Sequence, residues 1–288
     1  MSAGRSAITR YGMLTAGMRP DPDFLIIGAK RGGSTSFYYD LLAHDHVCPL
    51  FPKPDRLPKA VPTKGIHFFD SNFDRGERWY RAHLPSTFAR ASLARQVGGP
   101  VVVGEASPYY LFHPAAAERA AATVPGAKII VVLRDPVYRT YSHWKERRRS
   151  GGETLDFAAA LAAEDERIGD AEQRLREDAA AYSYAHEQLS YARQSEYATA
   201  LERWYAHFPA ERILALASED YYRDPATALN LTQEFLGLPQ RTLGSGEVRN
   251  AAEGGSLDAA VEASLRARFA PQRERLEKLT GRTFPWPD

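Results

Sequence analysis

The stretch that most constrains this chain is residues 23–42, DFLIIGAKRGGSTSFYYDLL. Residues 24–27 form a short apolar run with two β-branched side chains, the pattern of a strand buried on both faces. Residues 28–33 combine glycines with two cations, Lys30 and Arg31, and read as a turn. Ser34, Thr35 and Ser36 offer capping hydroxyls for a helix that carries Phe37, Leu41 and Leu42 on one side. A strand feeding a glycine turn and then a helix N-terminus makes a cradle for an anion. Backbone N–H groups and the positive helix end converge there.

The phosphate-binding pattern GxxxxGK[ST] is matched at Gly28, Gly33 and Thr35, but Ser34 stands where the lysine should reach the β- and γ-phosphates. The cations have moved forward, to Lys30 and Arg31. The expectation is a nucleotide phosphate ligand without nucleoside triphosphate hydrolysis.

Composition narrows the classes. With 44% hydrophobic and 25% charged residues, the 288-residue chain is an ordinary globule with ample core material. A formal net charge of +1 gives no general case for nucleic acid or anionic membranes as partners. A single cysteine, Cys48, excludes an internal disulfide and fits a reducing compartment. Residues 1–22 lack the apolar core of a secretory signal, and no run approaches a membrane span. They are expected to form a loosely ordered lead-in to a single domain over 23–288.

Further buried strands are expected at 100–104, 128–133 and 213–217, with a short strand candidate at 64–70, KGIHFFD. Helices are expected at 114–124, after Asp135-Pro136, over most of 154–201, at 225–236 closing on Gly237, and at 257–279 with a break at Pro271. Residues 49–63 hold five prolines and form a loop, a lid or substrate wall rather than a linker. Alternating strands and helices predict a three-layer α/β fold: a central parallel sheet of four or five strands with helices on both faces. In such sheets ligands sit at the carboxyl ends of the strands. Three buried runs here end in polar clusters, at 30–36, 105–110 and 134 onward. Arg139 and Ser142 share a helix face there, and a guanidinium fork beside a hydroxyl suits a phosphate monoester. No cysteine or histidine spacing suggests a metal, and Arg134 stands where a magnesium-binding carboxylate would be needed.

Arg31-Gly32-Gly33-Ser34-Thr35 and Arg134-Asp135-Pro136-x-x-Arg139-x-x-Ser142 together resemble the two signatures of the sulfotransferases that use 3′-phosphoadenosine 5′-phosphosulfate (PAPS). The resemblance is strongest to the heparan sulfate and other carbohydrate sulfotransferases. It covers residues 24–149 well, and 191–239 and the last helix more loosely; 158–190 would be a helical acceptor-side cover. It implies the P-loop-like version of the predicted fold and metal-independent, in-line transfer of a sulfuryl group from PAPS to a hydroxyl. The acceptor would be a sugar, a glycolipid or a small hydroxylated metabolite, and the product adenosine 3′,5′-bisphosphate. By match, the first loop (Lys30, Arg31, Gly32, Gly33, Ser34, Thr35, Ser36) would hold the 5′-phosphosulfate. Lys30 or Arg31 would touch the transferred group. Arg134 and Ser142 would hold the 3′-phosphate, and Arg249 with Asn250 would close over it. A soluble, cytoplasmic enzyme is expected.

The KGIHFFD string resembles one that precedes the acceptor site in the heparan sulfate enzymes. Their base is a glutamate two positions before the histidine, where this chain has Gly65. His67 is then the first candidate base, and Glu105 in GEASPYY the second, with Ala106 where relatives often have lysine. Two other readings stay open: a P-loop kinase-like phosphotransferase, and a non-catalytic binder of adenosine 3′,5′-bisphosphate.

Overall fold

The computed structural model describes residues 3–52, 64–243 and 257–287. Strand β1 (Phe24–Gly28) is the middle of a five-stranded sheet. It is followed by β2 (Val47–Cys48), β3 (Val102–Ala106), β4 (Lys128–Leu133) and β5 (Ile213–Ala217). The order is β2-β3-β1-β4-β5, and every pairing is parallel. The chain therefore builds one side of β1 and then crosses to the other. The crevice at the carboxyl end of β1 is a topological switch point.

Alternation along the strands assigns each side chain to a face. Leu25, Ile27, Ile129, Val131, Leu133, Ile213 and Ala215 point into one core, and Phe24, Ile26, Ile130, Val132, Leu214 and Leu216 into the other. Burial on both faces explains why these strands are continuous apolar runs rather than alternating ones.

The helices follow in order. Before β1 comes α1 (Ala3–Leu14), and after it α2 (Ser34–Leu42). Between β2 and β3 lie α3 (Phe68–Ser71), α4 (Glu77–Arg81) and α5 (Thr87–Val97). Then come α6 (Ala116–Thr123), α7 (Pro136–Arg149), α8 (Phe157–Ala162), α9 (Glu164–Ile168), α10 (Ala171–Glu177) and α11 (Tyr197–Tyr205). After β5 follow α12 (Ser218–Arg223), α13 (Pro225–Leu236) and α14 (Ala259–Thr280). Phe37, Tyr38 and Leu41 of α2 join Tyr221 and Leu229 over one face. Phe68, Phe69, Ala117, Leu201 and Trp204 cover the other. The three layers are thus complete. No described helix is long and apolar enough to cross a membrane.

Several expectations change. The lead-in is a helix followed by a turn at Ala16–Met18, docked where Gly12 lets the backbone approach Ala82. Arg19 is buried there, its guanidinium over the Phe51 ring and bonded to the Leu84 carbonyl. The fifth strand is Val47–Cys48, not residues 64–70. Gly65 packs against Ala106, and the segment is held by one backbone bond, from Ala106 N–H to the Lys64 carbonyl, and by side chains. The region 154–201 breaks into short helices, in part because Gly169 takes a positive φ and the buried Glu164 carboxylate accepts from the backbone of Ala192 and Arg193. Helix α14 runs through Pro271 unbroken. Proline removes one hydrogen bond, and burial of Leu265, Phe269 and Leu276 outweighs that loss. Gly237 and Gly281 end their helices with positive φ, as the sequence predicts.

Gly104 pairs with Phe24 across the ladder, and a Cβ there would lie 2.2 Å from the phenyl ring. Gly104→Ala is expected to destabilise the fold by about 1–3 kcal/mol through overpacking. The shift in urea midpoint measures it; an unchanged midpoint contradicts this packing.

Candidate functional site

The loop after β1 is shaped by close backbone approaches. Ala29 N–H donates to the Val132 carbonyl at 2.8 Å, and Gly32 N–H to the Ala29 carbonyl at 2.9 Å. A Cβ on Gly32 would lie 2.6 Å from the Val132 oxygen, so only glycine fits. Arg31 itself sits at φ 68, a left-handed conformation that side chains rarely adopt. Gly33, at φ 94, is the N-cap of α2. The hydroxyls of residues 34–36 therefore do not cap from outside; they lie within the first turn, Ser34 and Ser36 buried. The first-turn amides, which have no partner inside the helix, stay available to a ligand.

Each cation around this turn has a distinct setting. Lys30 Nζ donates to the side-chain oxygen of Gln188 at 2.7 Å and to the Glu187 carbonyl at 3.2 Å. Its ammonium also lies 3.8 Å from the Glu187 carboxylate. Burial pulls Lys30 down to about 8, although Glu187 opposes the shift. Arg31 Nε donates to Ser142 Oγ at 3.2 Å. That contact joins the first loop to α7 and brings the two sequence motifs together. Lys64 Nζ donates to Thr35 Oγ1 at 2.7 Å, joining the 64–67 segment to the first turn of α2.

Arg134 closes β4, and Asp135 caps α7 by accepting from Val137 and Tyr138 N–H, with Pro136 in the first turn. Among the described residues, no hydrogen bond or ion pair engages the Arg134 guanidinium, which remains partly exposed. Arg139 differs from expectation. It has no exposed surface and donates to Ser195 Oγ at 2.6 Å, to the Lys30 carbonyl at 3.3 Å and to the Tyr191 carbonyl. Burial lowers it to about 10. It anchors the cradle from beneath and cannot face a ligand. Arg249 and Asn250, and residues 53–63 of the proline-rich loop, lie outside the described residues.

The basic run ending α7 is largely engaged. Lys145 stacks over the Tyr141 ring, Arg147 pairs with Glu146, and Arg148 donates to the Thr154 carbonyl at 2.6 Å.

Glu105 lies inside β3, not after it, and is fully buried. One carboxylate oxygen accepts from Ile66 N–H and Ser107 Oγ, both at 2.7 Å, and the other from Tyr110 OH at 2.9 Å. Tyr110 OH in turn accepts from Phe68 N–H at 2.7 Å. Burial pushes the carboxyl up, against these hydrogen bonds. Glu105 is a hub that fixes residues 66–68.

His67 is set by that hub, at φ 53, with its N–H donating to Ser107 Oγ at 3.0 Å. Its Nδ1 is 2.8 Å from Asp70 Oδ2, and the Asp70 side chain is fully buried while the His67 ring is 40% exposed. A carboxylate facing this nitrogen accepts, so Nδ1 carries the proton and, in the neutral ring, Nε2 keeps its lone pair. Burial lowers the His67 pKa, but Asp70, with Glu105 and Glu187, outweighs it, and the value ends above the ordinary 6.5. Asp70 escaped the sequence reading. The His67-x-x-Asp70 spacing on a helical turn was the available signal.

Residues 21–260 match the family model described as the sulfotransferase domain. The chain belongs to the sulfotransferase family. It is 27% identical to heparan sulfate glucosamine 3-O-sulfotransferase 3A1 of Homo sapiens over 95% of this chain and 64% of that relative. It is also 27% identical to the bifunctional heparan sulfate N-deacetylase/N-sulfotransferase of Drosophila melanogaster, over 75% of this chain and 20% of that relative. The chain thus spans between a fifth and just under two thirds of these two relatives' length. A solved sulfotransferase from Alicyclobacillus acidocaldarius superposes with a TM-score of 0.64 at 29% identity, covering 91% of this chain and 97% of that one. The P-loop-like α/β architecture is therefore that of the family.

The His67–Asp70 contact makes a signed prediction. Its stabilisation of the fold is fully present below the unfolded histidine pKa and is lost as pH rises through the higher folded value. In an NMR pH titration the His67 midpoint is expected above 6.5, and below it in Asp70→Asn, where burial dominates. Equal midpoints in the two proteins would contradict the coupling.

Proposed function

We propose that this chain moves the sulfuryl group of PAPS to a hydroxyl of a carbohydrate acceptor. The observation that carries the reading is the joining of three segments at the first loop: Arg31 bonds to Ser142 of α7, and Lys64, three residues before His67, bonds to Thr35. The first loop and the α2 amides suit the 5′-phosphosulfate. The open guanidinium of Arg134, with the Ser142 hydroxyl of the same motif, suits the 3′-phosphate. The carbohydrate acceptor rests on the heparan sulfate sulfotransferases among the relatives.

In the proposed step the acceptor oxygen attacks sulfur in line, and the sulfur–oxygen bond to the 5′-phosphate breaks. The acceptor proton passes to His67 Nε2, and adenosine 3′,5′-bisphosphate leaves. Lys30, Arg31 and the loop amides stabilise the charge that grows on the leaving phosphate. Lys30 follows β1 directly, and Gln188 and Glu187 hold its ammonium. It is the better placed of the two for the sulfuryl group, since Arg31 Nε turns toward α7.

Gly65 supports His67 as the base. A side chain there would meet the Ala106 carbonyl at 2.5 Å and Ser107 Oγ at 2.8 Å, so a glutamate at that position has no room. Glu105 is saturated by hydrogen bonds and shielded from any acceptor. We assign it the role of holding His67 in place.

His67→Ala is expected to lower turnover of radiolabelled PAPS with a carbohydrate acceptor by about 10²–10⁴-fold, leaving affinity for adenosine 3′,5′-bisphosphate unchanged. In the wild type, kcat rises with pH as the imidazole loses its proton above 6.5. Undiminished turnover in His67→Ala would remove the base assignment, and transfer to no hydroxyl acceptor would remove the reading itself.

A further inference from the structure

We propose that Lys64 is a further cation that grips the 5′-phosphate end of the donor, replacing in space the lysine that Ser34 displaces from the phosphate-loop pattern. The inference rests on the PAPS reading and deepens it by adding a binding residue that lies outside both of the two signature motifs.

Geometry carries the argument. Lys64 comes from outside the loop and places its ammonium 2.7 Å from Thr35 Oγ1, on the first turn of α2. That turn is where the amides of a nine-residue helix converge on an anion. The two cations of the loop itself already have protein partners, Lys30 in Gln188 and Glu187, and Arg31 Nε in Ser142.

Charge completes it. Among the described residues the only hydrogen-bond partner of the Lys64 ammonium is a neutral hydroxyl, and no carboxylate pairs with it. Burial alone pulls it down to about 8, with no anion to offset the loss of water. Lys30, equally depressed, at least faces Glu187. A largely buried ammonium without a counter-ion is costly. A phosphate on the α2 amides would supply the missing negative charge and restore the cation's full protonation.

The location is specified by neighbouring contacts. Ala106 N–H donates to the Lys64 carbonyl at 2.6 Å, and Ile66 N–H to Glu105, so the residue on either side of Gly65 is pinned. The same short segment then delivers both Lys64 to the donor and His67 to the acceptor.

Two ligands separate the ends of the donor in a calorimetric titration: adenosine 3′,5′-bisphosphate and adenosine 3′-monophosphate. Lys64→Met is expected to weaken the bisphosphate by about ten- to a hundredfold, the value of one charge-assisted hydrogen bond, and to leave the 3′-monophosphate unchanged. Lys64→Gln, which can still donate to Thr35, should show the same selective loss, and its melting curve confirms that it folds. Bisphosphate affinity unchanged in both variants, or equal losses for both ligands, overturns the inference alone. Failure of the wild type to bind the bisphosphate overturns the reading beneath it.

Discussion

The central strand has no free face. Phe24, Leu25, Ile26 and Ile27 are all fully buried, with β3 on one edge and β4 on the other. Chemistry can leave such a strand only at its end, through backbone amides and whatever side chains neighbouring strands bring there. This constraint explains why the crevice is built from turns: 29–33 after β1, 107–110 after β3 and 134–136 after β4. It also explains why Arg139, with no exposed surface, matters. It holds the Lys30 carbonyl, Tyr191 and Ser195 together beneath the loop, so that the loop amides keep their direction without a ligand.

The second organising element is a carboxylate that does not reach the crevice at all. Glu105 replaces ladder bonds for residues 66–68 with bonds to its own oxygens, directly and through Tyr110. A glutamate at position 65 would need space that the Ala106 carbonyl occupies here. The proton acceptor we propose is instead the imidazole of His67, held by Asp70.

Much of this was legible in the sequence where local rules and tertiary demands agree. Lys128–Leu133, Ile213–Ala217, the Asp135-Pro136 start of α7 and the glycine ends of α13 and α14 follow from apolar runs and capping chemistry, and the structure repeats them. The two motifs fall on a turn and a helix start, elements with local signatures, and the structure has those elements there. What failed was set by distant partners. Nothing near residue 64 says that Glu105 will claim Ile66 N–H, so KGIHFFD looked like a strand. Nothing near residue 139 says that Ser195 and Tyr191 will enclose its guanidinium. Two-residue β2 is too short for any periodicity, and α14 survives Pro271 through packing alone.

The central claim is that the crevice is built for an adenine nucleotide phosphorylated at both the 3′ and 5′ positions, with protein cations in place of a metal. Competition calorimetry on the wild type tests it most directly, setting adenosine 3′,5′-bisphosphate in the presence of a chelator against ATP with Mg²⁺. The account predicts tight, chelator-insensitive binding of the bisphosphate that excess ATP with Mg²⁺ does not displace. Preferred binding of ATP with Mg²⁺, and none of the bisphosphate, would contradict it and return the β1–α2 loop to the kinase class.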